Sequence, residues 1–340
     1  MTGLDQAPVM PADCPLAAIL AHMRHFQTLT QDGHLVSGKS CGRFAWKADV
    51  LTRRGTLEYR TDQRFRTLAQ DQRFRTLAQR VSPVFRSTRA GITYRMVDLL
   101  FTDSALAELY DAICPREERT DFDFYLPLIM AAEAVLDVGC GTGALLHEAR
   151  QAGHKGRLCG LDPAAGMIEQ ARRHPGIEWV QGDLASADFK AEFDLVVMTG
   201  HAFQVFVEDG ELRAALASIR AALIEDGCFA FETRNPAARA WERWTEDYAE
   251  VTDRAGRPVK KACRVETPFD GRVVSFTQTY TSPAWSEARV SWSTLRFLDA
   301  DTLAAFLAEA GLAIEAQFGD WDRTPLTDRS PEIITLVRPG

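Results

Sequence analysis

The stretch Val135-Leu-Asp-Val-Gly-Cys-Gly-Thr-Gly-Ala-Leu-Leu146 limits what this chain can fold into more than any other. Val135, Leu136 and Val138 surround a single carboxylate, Asp137, in the manner of a short buried strand. Gly139, Gly141 and Gly143 follow at alternate positions, and a helical pattern opens at Ala144. A strand that runs through glycines into a helix exposes bare backbone N–H groups at the helix N-terminus, where a ligand can approach closely. Strand, turn and helix in this order also begin a doubly wound α/β sheet.

The glycine spacing narrows the ligand. Dinucleotide sites use G-x-G-x-x-G and set a pyrophosphate on the helix end. Here the order is Asp-x-Gly-x-Gly-x-Gly, with a carboxylate two residues before the first glycine. This resembles motif I of the class I S-adenosylmethionine (SAM)-dependent methyltransferases. The resemblance implies that Asp137, Gly139, Cys140, Gly141 and Gly143 lie against the methionine and ribose part of SAM. A carboxylate suits its sulfonium and ammonium better than it would suit a pyrophosphate.

The text downstream stays in step with that family. Arg157-Leu-Cys-Gly-Leu-Asp162 reads as a second strand whose terminal Asp162 can accept both ribose hydroxyls. Pro163-Ala-Ala-Gly-Met-Ile-Glu-Gln-Ala-Arg172 resembles the segment that follows in the family, with Met167 over the adenine. Ile177–Asp183 reads as a third strand, and Asp183 resembles the acid that accepts from the adenine amino group. The same resemblance adds Pro163, Leu184 and Thr199 to the cofactor contacts, as well as Tyr110 and Tyr125 from an N-terminal cap. For both tyrosines plain packing is the other reading.

Strands and helices alternate from 133 to 233, and Leu312–Phe318 and Glu332–Val337 supply two more strands. The expected fold is α/β: a mostly parallel seven-stranded sheet with one antiparallel member, a Rossmann-like methyltransferase. Residues of about 240–298 alternate apolar and polar, with a hairpin signal at Asp270-Gly271, and read as an inserted antiparallel β region. The methyltransferase domain is placed at 99–338. Residues 1–98 form an extension of separate character, in which the nonapeptide Asp62–Gln70 recurs unchanged as Asp71–Gln79. Nine residues turn a helix through about 900°, so the second copy faces opposite the first and cannot prolong one apolar stripe.

Charge bears on the partners. The net charge of −8 argues against broad binding to nucleic acid or anionic membranes, although residues 1–100 are basic. Seven scattered cysteines without a C-x-x-C pair fit reduced thiols and no metal site, and no apolar run is long enough to span a bilayer. With no signal-peptide layout at the N-terminus, the expectation is a cytoplasmic enzyme.

Methyl transfer from a sulfonium is an in-line displacement that depends mostly on alignment and exclusion of water. His201, just past the fourth strand, is the candidate base; fastening its own loop is its alternative role. Arg234, after the fifth strand, and Trp321 and Arg323, after the sixth, are candidates together with His201 for holding an acceptor. The expected reaction is methylation of a small molecule at O, N or C. RNA or a protein side chain as acceptor, and a non-catalytic SAM-binding module, are the alternatives.

Overall fold

The computed structural model describes residues 97–340 apart from Asp247 and Pro268, together with the backbones of four short strands before them. β1 (Val50–Arg53) pairs antiparallel with β2 (Thr56–Tyr59), and β3 (Ser87–Arg89) with β4 (Ile92–Tyr94). The duplicated nonapeptide lies outside the described residues, as does Pro15–Thr30, which the sequence pattern reads as an amphipathic helix.

Three one-turn helices come next: α1 (Leu99–Thr102), α2 (Ser104–Ala107) and α3 (Tyr110–Ile113). The sequence pattern over 102–111 offers an N-cap and an apolar helical face, and Asp103 is the cap. Its carboxylate accepts from the N–H groups of Ala105 and Leu106, which ends α1 and caps α2. α4 (Asp121–Ala131) leads into the sheet: β5 (Ala134–Val138), α5 (Ala144–Gln151), β6 (Arg157–Asp162), α6 (Ala165–Ala171), β7 (Glu178–Gln181) and α7 (Leu184–Ala187). β8 (Phe193–Met198), α8 (Asp209–Ala222) and β9 (Leu223–Arg234) complete the alternation. After the antiparallel strands β10 (Tyr248–Thr252), β11 (Pro258–Thr267), β12 (Val273–Thr281) and β13 (Arg289–Arg296), the chain returns through α9 (Ala300–Glu309), β14 (Leu312–Phe318) and β15 (Glu332–Pro339).

The large sheet has the order β14-β15-β9-β8-β5-β6-β7, and β15 alone runs against the rest. Successive side chains point to opposite faces, and the burial follows that period. Leu136, Val138, Val196, Met198, Phe229 and Phe231 join one core with α8 and α9. Val135, Leu195, Val197 and Ala230 join another with α4 and α5. The Phe203, Phe231 and Phe229 rings stack at centroid separations of 4.3 and 4.5 Å on the first side.

The antiparallel strands form a four-stranded meander, β10-β11-β12-β13. Leu100, Leu106 and Leu109 of the short-helix segment pack with Val259 and Tyr280 of the meander. On the other side of that segment, Ala107 packs with Ala164 and Met167 at α6. A Cβ on Gly166 would come within 2.7 Å of the Phe101 carbonyl oxygen, so this glycine lets α6 lie directly against α1. The short helices thus fill the space between the meander and the cofactor end of the sheet.

Candidate active site

Parallel strands end together on one edge of a doubly wound sheet, and that edge carries the loops that bind ligands. Here β5 delivers the glycine turn, β6 Asp162, β8 His201, and β9 Glu232 and Arg234. Because β15 runs the other way, its first residue, Glu332, reaches the same edge and pairs in register with Arg234.

The turn has left-handed backbone at all three glycines, with φ of 76° at Gly139, 57° at Gly141 and 79° at Gly143. Gly139 and Cys140 both donate to the Leu161 carbonyl, which anchors the turn to β6. No atom lies within 4 Å of where a Cβ on Gly141 would stand, so the backbone there borders open space. Gly143 has a different neighbour: a Cβ on it would fall 2.3 Å from the Trp179 ring, as one on Gly160 would at 2.4 Å. Trp179 therefore occupies the hollow left by these two glycines, and its indole N–H donates to the His174 carbonyl at 3.1 Å.

Asp162 accepts from Gly141 N–H at 3.0 Å through Oδ2 and from Ala164 N–H at 2.7 Å through Oδ1. It ties the end of β6 to the turn and keeps a lone pair on each oxygen. Burial pushes its carboxyl up to about 6, against the pull of these two N–H groups. Asp137 is 1% exposed, and its Oδ1 has no hydrogen-bond partner. Burial raises Asp137 to about 7, opposed by Arg119 and reinforced by Asp162, Glu232 and Asp121. A sealed carboxylate oxygen lacking a partner is costly unless something pairs with it.

The remaining expected cofactor residues fall as follows. Asp183 is exposed and caps α7, accepting from Ser186 N–H at 2.9 Å, with Leu184 as the first residue of that helix. Pro163 is exposed, whereas Met167 is buried against Ala107 and Ala164. Thr199 is buried just beyond β8. Tyr110 stands edge-on to Phe101, and burial lifts its hydroxyl to about 12. Tyr125 is fully buried and donates to Glu232 Oε2 at 2.5 Å.

At the other end of the edge His201 adopts a left-handed backbone, φ 61°, directly after Gly200 at 66°. Its backbone N–H donates to Glu232 Oε1 at 2.6 Å, and its Nε2 lies 2.9 Å from Glu332 Oε2. Arg234 donates to Gln204 Oε1 at 2.9 Å and lies over the Trp244 ring. Trp321 packs edge-on to Phe124 and tilted to Tyr125. Arg323 is exposed with its guanidinium over Phe124, so among the candidate acceptor residues it stands with this aromatic group.

Sequence reading alone overlooks Glu332 and the Arg119–Asp121 pair, which closes at 2.7 Å, and offers Glu232 only as a salt-bridge partner for Arg234 or Arg323. The one available signal was Glu232, a carboxylate directly after the apolar run Cys228–Phe231. Arg119 and Asp121 sit in or beside a polar segment that reads as loop, and Glu332 reads as an ordinary strand end.

Residues 135–227 match the family model described as a methyltransferase domain. Over 209 residues the chain is 29% identical to the cypemycin N-terminal methyltransferase of a Streptomyces species, covering 60% of this chain and 82% of that one. It is 32% identical over 130 residues to the 2-phytyl-1,4-naphtoquinone methyltransferase of Thermosynechococcus vestitus, covering 36% of this chain and 56% of that one. Among solved structures it is similar to a SAM-bound amino pentose methyltransferase of Micromonospora echinaspora. The identity there is 26% and the TM-score 0.51, with 68% of this chain and 97% of the other covered. These likenesses support a class I SAM-dependent methyltransferase with S-adenosylmethionine as its cofactor.

Proposed function

We propose that this enzyme methylates a small molecule at a nitrogen or oxygen that must lose a proton, with His201 as the base. The observation that carries the reading is the unpaired, buried Asp137 Oδ1 on β5, the strand whose glycine turn opens at the edge that also holds His201. When bound there, SAM supplies an electrophilic methyl on a cationic sulfur. Asp137 attracts that charge, and Asp162 offers its remaining lone pairs to the ribose hydroxyls. Asp183 receives the adenine amino group. His201 takes the acceptor proton, and Arg234 and Trp321 border the acceptor.

A small acceptor is favoured because the net charge of −8 argues against broad binding to a nucleic-acid polymer. Relatives whose names give a naphtoquinone or an amino pentose support this choice. Among the described residues no helix is long and apolar enough to cross a membrane, which accords with the cytoplasmic assignment proposed here. The domain is proposed to begin near residue 99, and a chain started near Ile92 should still bind SAM.

The test is incubation with methyl-labelled SAM and panels of small amines and alcohols, followed by mass identification of the product. His201→Ala should lower kcat by roughly 10²–10⁴-fold, the usual worth of a positioned base, with SAM affinity little changed. Weaker SAM binding with a nearly normal rate would make His201 a loop fastener instead.

A further inference from the structure

Glu332 opens the one strand that runs against its sheet, and the ladder holds its backbone opposite Arg234. From there it meets His201 Nε2 at 2.9 Å, with only 18% of the histidine side chain and 13% of the glutamate side chain exposed. The other end of His201 is fixed by its backbone N–H on Glu232. Nδ1 makes no hydrogen bond among the described residues and is not among the sealed polar atoms. The imidazole is gripped at one nitrogen and free at the other.

We propose that Glu332 is a positioning residue that sets the tautomer of His201: its carboxylate accepts the Nε2 proton and leaves the lone pair on Nδ1 for the acceptor. This rests on His201 as the base. On turnover the acceptor's N or O forms its bond to the methyl carbon while the S–C bond breaks, its electron pair staying on sulfur. The acceptor proton passes to Nδ1, and the imidazolium so formed lies against the Glu332 carboxylate, as the orienting acid of a catalytic triad steadies its histidine.

The charges facing the couple come from several elements. Arg234 and Glu232 stand on β9, Arg119 and Asp121 at the start of α4, and Asp320 after β14. Burial first, and then Arg234, push His201 down to about 3, although Glu232 and Asp121 pull the other way. Burial pushes Glu332 up to about 8, opposed by Arg234 and helped by Asp320 and Asp121. While Glu332 holds its proton it donates to Nε2 and leaves the hydrogen on Nδ1. Ionisation of Glu332 reverses the hydrogen bond and creates the working tautomer. Activity should rise with pH through Glu332, above the ~6.5 of an ordinary imidazole.

Long-range proton–nitrogen NMR of the histidine rings in the full chain, titrated from pH 5 to 10, reads the tautomer without any acceptor. His201→Ala assigns the signals. The expected result is a change from the Nδ1–H to the Nε2–H tautomer near pH 8, absent in Glu332→Gln. An Nδ1–H tautomer of His201 across the whole range in the unaltered protein overturns the proposal, whether or not the variant folds. So does a change near pH 8 that persists in Glu332→Gln. If the tautomer changes as expected but His201→Ala still transfers methyl at the full rate, the base reading fails and control of the ring by Glu332 stands.

Discussion

The Tyr125 hydroxyl on α4 donates to Glu232 Oε2 on β9 across 2.5 Å, and neither side chain is exposed to solvent. Glu232 uses its other oxygen to accept the His201 backbone N–H, so one buried carboxylate joins the helix before the glycine turn to the loop after β8. Tyr125→Phe removes one of these two contacts and leaves an acceptor in a dry site. The expected loss of stability is about 1–3 kcal/mol, the cost of an unsatisfied buried polar group. Denaturant unfolding of the free protein measures it, and a variant as stable as the parent would show that the bond contributes nothing.

Asp162 has two duties, since it holds the turn through Gly141 and is the proposed ribose acceptor. Asp162→Ala should weaken SAM binding by about 1.5–3 kcal/mol, the range for hydrogen bonds to a charged group. Asp162→Asn keeps one acceptor oxygen and should fall between the two. Titration calorimetry on folded variants decides; unchanged affinity in Asp162→Ala would remove this residue from the cofactor site.

Trp179 fills the hollow beside Gly160 and Gly143. Gly160→Ala puts a methyl into the indole and should destabilise the fold by about 1–3 kcal/mol, the usual cost of overfilling a core. Trp179→Leu in the same chain should restore part of that loss, because the two positions are in contact and their effects do not add. Thermal melts of the four proteins in the cycle test it, and additive losses would contradict the contact.

Much of this was legible in the sequence because the glycine turn and the acids at strand ends are local signals. The bounds of α5, β6, β10 and β14 follow from periodicity and from the glycines and carboxylates that flank them. The cap at Asp103 was legible in Thr102-Asp-Ser104, but the division of the apolar pattern after it into α2 and α3 was not. Glu332 was hidden for a topological reason. Its importance arises only because β15 is reversed and brings a strand's first residue to the edge where the other strands end. Trp179 was missed because its partners Gly143 and Gly160 lie 36 and 19 residues before it, and only strand pairing unites them.

Asp137 carries the prediction with the clearest sign. Its folded carboxyl titrates near 7, raised chiefly by burial, so the folded state holds a proton that the unfolded chain releases at the ordinary carboxylate value of ~3.9. Between those two values folding is linked to proton uptake, so this group's contribution to stability is greatest at low pH and declines as pH rises to about 7. Asp137→Asn removes that dependence. The variant without SAM should gain on the unaltered protein as pH rises from 4.5 to 8, by a few kcal/mol at most. Binding should show the opposite preference, because the cationic cofactor needs the ionised form. SAM affinity in the unaltered protein should rise with pH up to about 7, whereas Asp137→Asn should bind weakly at every pH. Unfolding and calorimetry at pH 4.5, 6 and 8 test both halves. A variant that binds SAM normally, or that gains no stability relative to its parent toward pH 8, would mean that the orphaned oxygen is not what draws the cofactor into this site.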